Sequence, residues 1–284
     1  MNDKKEKRSG RAISAVLKTL VLASGVLTFA VLIFLIGFIL VKGVGYLKPG
    51  LFAWEYTSDN VSLIPAAVNT VIMTLLTLII AVPLGVFSAI FLVEYSSKDS
   101  KIVRVIRMTA ETLSGIPSIV YGLFGLMFFA TTLGWGLSIL SGAFTMVIMI
   151  LPLIMRTTEE ALKAVPDAYR EASFGLGAGK LRTIFKIVLP AAIPGILAGV
   201  ILATGRIVGE TAALLFTAGT VAQIPSSLFG SGRTLALHMY ALSNEGLHVN
   251  EAYATAVVLL VLVLLINGLS NIIAGKFAKA RGCI

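Results

Sequence analysis

Long apolar runs alternate with short polar stretches along this 284-residue chain, and the lengths of the runs predict membrane-crossing helices. An α-helix needs roughly 20 apolar residues to cross the hydrocarbon core of a bilayer. Thr19 to Val41 is uncharged, lies between Lys18 and Lys42, and exceeds the roughly 7 to 15 residues of a signal-peptide core, so it predicts a retained first helix. Asn60 to Tyr95 is interrupted only by Glu94 and predicts the second, with Pro83 tolerated inside it. Thr112 to Met155 carries no charge. At about 1.5 Å per residue a single rod of that length would reach about twice the hydrocarbon thickness. The run must therefore fold back, most simply at Gly134-Trp135-Gly136, with Trp135 at a headgroup interface, which makes helices three and four. Ala192 to Ala218 predicts helix five and Ala252 to Gly275 helix six. The expected fold class is all-α integral membrane with six transmembrane helices.

Charge then orients the spans. Nineteen of the 23 lysines and arginines fall on one side: the N-terminal arm, the loop after helix two (Lys98, Lys101, Arg104, Arg107), the loop between helices four and five, and the tail (Lys276, Lys279, Arg281). Only Lys42, Lys48 and Arg233 fall on the other. By the positive-inside bias both termini are expected in the cytoplasm. The expected division is a cytoplasmic arm at 1–18, helix one at 19–41, an extracytoplasmic segment at 42–63 with Phe52, Trp54 and Tyr56 at the outer interface, a core of helices two to six at 64–275, and a cytoplasmic tail at 276–284. A content of 57% apolar and 13% charged residues excludes an ordinary soluble domain. The formal charge of +9 follows the loops rather than one face, which argues against nucleic acid as a partner. One cysteine, Cys283, gives no disulfide framework.

The loop from Glu159 to Pro190 is long, hydrophilic and patterned. Pro166-Asp167 is a helix-start signal followed by Ala168 to Ala172, and Gly175, Gly177 and Gly179 then break the helix. A second helix, Lys180 to Leu189, places Leu181, Ile184, Phe185 and Val188 on one face, and Pro190 and Pro194 lead into helix five. Such an element on the cytoplasmic side suits the transfer of a partner's motion to the spans.

Within this loop Glu171-Ala172-Ser173, Gly177, Ile187, Leu189 and Pro190 resemble the E-A-A...G...I-x-L-P loop of bacterial ABC importer permeases at every anchor spacing, with Ser173 for the second alanine as the departure. The resemblance implies a type I ABC importer permease fold whose cytoplasmic coupling helix sits in a cleft of a separate ATP-binding subunit, with Glu171, Ala172 and Gly177 facing it. Gly175-Leu-Gly-Ala-Gly-Lys180 is not a phosphate-cradling loop, because Phe174 stands where the first glycine is required and Leu181 where the magnesium-binding hydroxyl is required. The chain is therefore expected to bind no cofactor, with ATP and magnesium held by a partner ATPase.

Helix five carries Arg206 and Glu210, an i,i+4 pair expected on one face. Ionisable groups inside a bilayer need partners and mark pathways, and the planar fork of arginine suits oxyanions. The pair reads either as a self-neutralising bridge that only fixes packing or as part of a pathway, in which Glu210 holds Arg206 in place or accepts a bond from a protonated oxyanion. Gly205-Arg206-Ile207-Val208-Gly209-Glu210-Thr211-Ala212, Gly115-Ile116-Pro117-Ser118-Ile119-Val120-Tyr121-Gly122 extended to Gly125, and Thr234 to Tyr240 are similar to the A-type permease of phosphate-specific importers. That resemblance implies roles in phosphate passage for Arg206, Glu210 and Arg156. Arg156 reads equally as a positive-inside anchor. It further implies a second permease subunit, a dimeric ATP-binding subunit, an extracytoplasmic phosphate-binding protein and a place in the bacterial or archaeal cytoplasmic membrane. Sulfate or molybdate would fit the same arginine, and an ion-coupled secondary transporter is the reading from another class.

Other residues carry less. His238 and His248 lack the carboxylate pattern of a metal site, and no paired-carboxylate or triad arrangement suggests catalysis. Gly115, Gly122 and Gly125 are expected to permit close helix approach, and Asn267 and Asn271 to bond across helices or to water.

Overall fold

A computed structural model describes residues 2–96 and 100–279; Lys98, Arg281 and Cys283 lie outside the described residues. Helix α1 (Asn2–Gly43) is one long rod whose apolar stretch is unburied. It meets the bundle at its C-terminal end, where Phe38 stands edge-on to Tyr253 at 5.9 Å and Gly43 lies against Tyr253 and Val257. Two short 3-10 turns, Val44–Tyr46 and Pro49–Phe52, lead to α2 (Ile64–Ile90), which a wide π-type turn prolongs to Tyr95.

The next run departs from the expected single span. Helix α3 (Lys101–Ser114) and α4 (Ser118–Gly125, prolonged by a wide turn to Thr132) meet at a 100° bend. Pro117 has no amide proton to donate and bars its predecessor, Ile116, from helical geometry, so the chain turns there. The hydroxyl of Tyr121 reaches back to donate to the Leu113 carbonyl at 2.7 Å and holds the corner. Gly115 therefore belongs to the bend and not to close packing. Gly122 and Gly125 do sit at close approaches: a Cβ on Gly122 would stand 2.9 Å from the Cα of Ala213, and one on Gly125 would strike Thr145.

The fold-back lies at residues 133–138, with Gly134 and Gly136 at φ +70° and +64°, a conformation open to glycine at little cost. Trp135 stacks on Phe129 at 5.5 Å and closes this end. Helix α5 (Ile139–Lys163) opens with Ser138 accepting from the Ser141 amide and forms the centre of the bundle, where Met146, Ile150 and Ile154 are fully buried against α2 and the later helices.

After α6 (Asp167–Gly175), the short α7 (Lys180–Thr183) runs through a wide turn at Ile184–Val188 straight into α8 (Leu189–Val208). The expected separate second loop helix is thus the start of a 29-residue helical rod, Lys180–Val208. The wide turn shifts the hydrogen-bond ladder just ahead of Pro190, whose missing amide would otherwise interrupt it. Its inward face also differs from expectation: Thr183, Ile184 and Val188 are buried, whereas Leu181 and Phe185 are exposed. Glu159 to Lys163 are the end of α5, so the free loop is residues 164–179.

Helix five breaks as well. Helix α8 ends at Val208, and α9 (Ala212–Thr217) begins after Gly209-Glu210-Thr211. The segment at 218–234 then leads to α10 (Leu235–Glu245) and the last helix, α11 (Val249–Lys279). Among the described residues five helices are long and apolar enough to span a bilayer, and six are when the bent pair of α3 and α4 is taken as one span.

Candidate functional site

Two regions gather charged side chains beside the spans. The first is the loop end. Pro166 stands at the cap of α6 with Asp167 in its first turn, and the helix ends in a Schellman arrangement: Ala178 donates to the Ser173 carbonyl and Gly177 to that of Phe174. Gly177 takes φ +81° with nothing within 4 Å of where a Cβ would be, so backbone geometry selects glycine here. Glu171, Ala172 and Gly177 lie exposed on the outer surface of this element, while Ser173 is buried. The Ser173 hydroxyl pairs with that of Thr183 at 2.8 Å and ties α6 to the foot of the α7–α8 rod. Ile187 is exposed, and Leu189 and Pro190 are half-buried.

Arg170 locks the same element to the spans. Its guanidinium bonds Glu94 at the end of α2 through Nε and Nη2 (3.1 and 2.8 Å). It also bonds the carbonyls of Val165 and Leu162 and the carboxylate of Asp167. The Glu94 and Arg170 side chains are 9% and 14% exposed, so this is a nearly buried pair with its donors used. Lys180 adds a cation over the Tyr95 ring at 4.8 Å. Sequence reasoning passed over Arg170 as a topology charge, although the lone Glu94 in an apolar run signalled a missing partner.

The second region is a cavity of about 410 Å³ running along α5 between α3 and the end of α8. It brings together Arg156 and Arg206, fifty residues apart in sequence, with Arg107, Lys163, Glu111, Glu159 and Glu160. Arg156 pairs with Glu160 at 3.1 Å, and Glu159 accepts from both Arg107 (2.8 Å) and Lys163 (2.6 Å). Arg206 is exposed here and has no carboxylate within ion-pair distance among the described residues. It also borders a second cavity of about 490 Å³ beside Asn267.

Glu210 is not part of this group. Because the helix stops at Val208, Glu210 does not share a helical face with Arg206. Its Oε1 instead accepts from the Ala213 amide at 3.0 Å and starts α9. Gly205 and Gly209 weaken the helix at this point, and a carboxylate at the next helix start is a favourable cap. The shared face expected for this i,i+4 pair is thus lost, and the bridge that was one of its readings is replaced by a cap and a bare arginine.

On the opposite end of the bundle Arg233 lies 5% exposed over the ring of Tyr56 at 4.7 Å, and fully buried His238 stands edge-on to the same ring. Burial, then the charge of Arg233, lowers the His238 pKa to about 3. His248 lies 3.8 Å from Glu251. Phe52 and Trp54 are exposed near this end, whereas Tyr56 is drawn inward. The described residues contain no group of three or more histidine, cysteine or acidic side chains placed to hold a metal ion.

Comparison with known proteins places this architecture. Over 262 residues the chain is 35% identical to the probable ABC transporter permease protein YqgI of Bacillus subtilis, covering 84% of this chain and 87% of that one. It is 37% identical over 205 residues to the phosphate transport system permease protein PstA 1 of Mycobacterium tuberculosis, covering 71% and 67%. A permease chain in the crystal structure of a bacterial ABC transporter involved in the import of the acidic polysaccharide alginate superposes with a TM-score of 0.67, at 13% identity, over 94% of this chain and 99% of that one. That likeness establishes the fold, the type I importer permease fold. Residues 81–281 match the model of the binding-protein-dependent transport system inner membrane component, and the chain belongs to that family of multi-pass permease proteins.

Proposed function

We propose that this chain is the A-type permease subunit of an ATP-driven importer of inorganic phosphate. The observation that carries the reading is the cavity in which Arg156 and Arg206 converge, with Arg206 bare of any carboxylate partner. A guanidinium that no side chain neutralises inside an apolar bundle attracts an anion, and its planar fork matches two oxygens of a tetrahedral oxyanion. The 37–38% identity to permeases named for phosphate transport supports phosphate over sulfate or molybdate. Glu210 serves the pathway indirectly, by ending α8 where Arg206 must be presented.

Energy arrives from outside the chain. Exposed Glu171, Ala172 and Gly177 meet a partner ATPase that binds ATP and magnesium, Ser173 holds the α6 element on its rod, and Ile187, Leu189 and Pro190 form the passage of that rod into α8. Movement of α6 reaches α2 through Arg170 and Glu94, and α8 through the Ser173–Thr183 pair. A second permease subunit completes the pathway, an extracytoplasmic phosphate-binding protein delivers the anion, and both termini lie in the cytoplasm. The chain itself hydrolyses no ATP.

Purification with associated proteins and reconstitution into proteoliposomes tests this reading. Recovery of an ATPase and a second permease, with radiolabelled phosphate uptake that excess sulfate and molybdate do not compete, is the expected result. Absence of an ATPase overturns the importer reading, and equal competition by sulfate overturns the phosphate assignment.

A further inference from the structure

The cavity holds four cations and three carboxylates, yet its charges are unequally satisfied. Arg156 and Glu160 form an exposed i,i+4 pair on one helix, worth little by itself. Arg107 is different. It comes from α3, across the cavity, and its Nη2 meets the buried carboxylate of Glu159 at 2.8 Å. Its Nε is buried without a hydrogen-bond partner among the described residues. A buried donor left without an acceptor is costly, so the Glu159-bound arrangement does not use the guanidinium fully. Glu159 meanwhile has a second cation: Lys163, one turn along α5, bonds the same oxygen at 2.6 Å. Removing Arg107 from Glu159 would therefore not leave a buried carboxylate uncompensated.

These three facts describe an exchangeable pair. We infer that Arg107 is a further anion-contacting residue of the pathway, and that Glu159 is its displaceable counter-ion. The inference rests on the phosphate reading above. A tetrahedral oxyanion entering between Arg206 and Arg156 draws the Arg107 side chain off Glu159 and takes the Nε–H and Nη2–H edge as a two-toothed fork, giving the buried Nε its missing acceptor. Lys163 keeps Glu159 paired meanwhile. When the anion leaves, Glu159 recaptures Arg107, which prevents the cavity from holding its cargo too tightly. Because Glu159 lies on the last turns of α5, within four residues of the α5 end from which the chain enters α6, displacement of α6 bears directly on this pair.

The test uses the assembled complex in proteoliposomes, with radiolabelled inorganic phosphate as the probe. Arg107→Lys keeps the charge and loses the fork; its KM for phosphate is expected to rise about tenfold, equivalent to about 1.4 kcal/mol. Glu159→Gln frees Arg107 and is expected to act in the opposite sense, lowering KM severalfold and slowing maximal uptake. A purely structural pair would reduce the yield of complex in both variants and leave KM alone. Wild-type KM in Arg107→Lys, a KM moved in the same direction by both variants, or failure of Arg107→Lys to assemble each overturns the inference. Arg206→Gln is measured alongside. If it loses uptake while Arg107→Lys is normal, only this inference falls; if both are normal, the phosphate pathway falls with it.

Discussion

Arg170 and Arg206 make the most instructive contrast in this protein. Both are arginines beside the spans, Arg170 within the short α6 and Arg206 in the last turn of α8. Arg170 is nearly buried, bonds two carboxylates and two backbone carbonyls, and ties α6 to α2. Arg206 opens onto a cavity and has no carboxylate within ion-pair distance among the described residues. A guanidinium with its donors spent on the protein can transmit force but cannot receive a ligand. One whose donors are unspent can receive an anion and holds little of the fold together. On the function proposed above, the same residue type would serve coupling at one site and cargo at the other.

The contrast can be broken from either side. The largest effect is expected for Arg170→Ala, which strands the buried carboxylate of Glu94; losing one partner of such a pair costs about 3 to 5 kcal/mol. Thermal unfolding of the purified complex should show the loss, and the double variant Arg170→Ala, Glu94→Ala should recover much of it. In whatever complex assembles, ATP hydrolysis should persist with reduced uptake. Next is Arg206→Gln, whose loss of charge-assisted bonds to the anion, about 1.5 to 3 kcal/mol, corresponds to roughly a ten- to hundredfold fall in uptake efficiency with unfolding unchanged.

The end that carries His238 supplies a control with a pH signature. His238 is neutral in the folded protein, with its pKa lowered to about 3, whereas the unfolded chain takes up a proton near 6.5. Stability should be level above pH 7 and fall as pH drops from 6.5 toward 3, by about 2 kcal/mol at pH 5. Unfolding of wild type and His238→Gln across that range measures it, and the variant should lose the slope. Gly177→Ala forces a side chain into a left-handed backbone and should cost about 1 kcal/mol, read as an earlier melt and weaker ATPase association. The smallest change is Ser173→Ala, which removes the bond to Thr183 and should cost about 1 kcal/mol or less.

Hydropathy and charge made much of this fold legible. Charge-free runs located the spans, and the glycine-tryptophan-glycine turn located the fold-back between α4 and α5. Those measures are blind to direction, however, so they passed over the 100° bend at Gly115-Ile116-Pro117 and the stop at Gly209-Glu210-Thr211. Pro117 and the paired Gly205 and Gly209 were local signals of both breaks. The helix and glycine turn of α6 were legible because their information is local: a proline start and a glycine end within a dozen residues. The cavity was only half legible. Arg156 and Arg206 stood out by position and resemblance, but Arg107 looked like one loop charge among four, because its partner Glu159 lies 52 residues away. Ser173 looked like a small substitute for alanine, and its bond to Thr183 became visible only when α6 was folded back on the α7–α8 rod.

The division of labour between the two arginines is tested most directly by measuring phosphate uptake and ATP hydrolysis in the same proteoliposomes for Arg206→Gln. A complex recovered in normal yield, with wild-type melting, and phosphate uptake reduced at least tenfold is the predicted result. Uptake at the wild-type rate would contradict it, and so would a loss of assembly, since either would mean that Arg206 is not there to receive the anion.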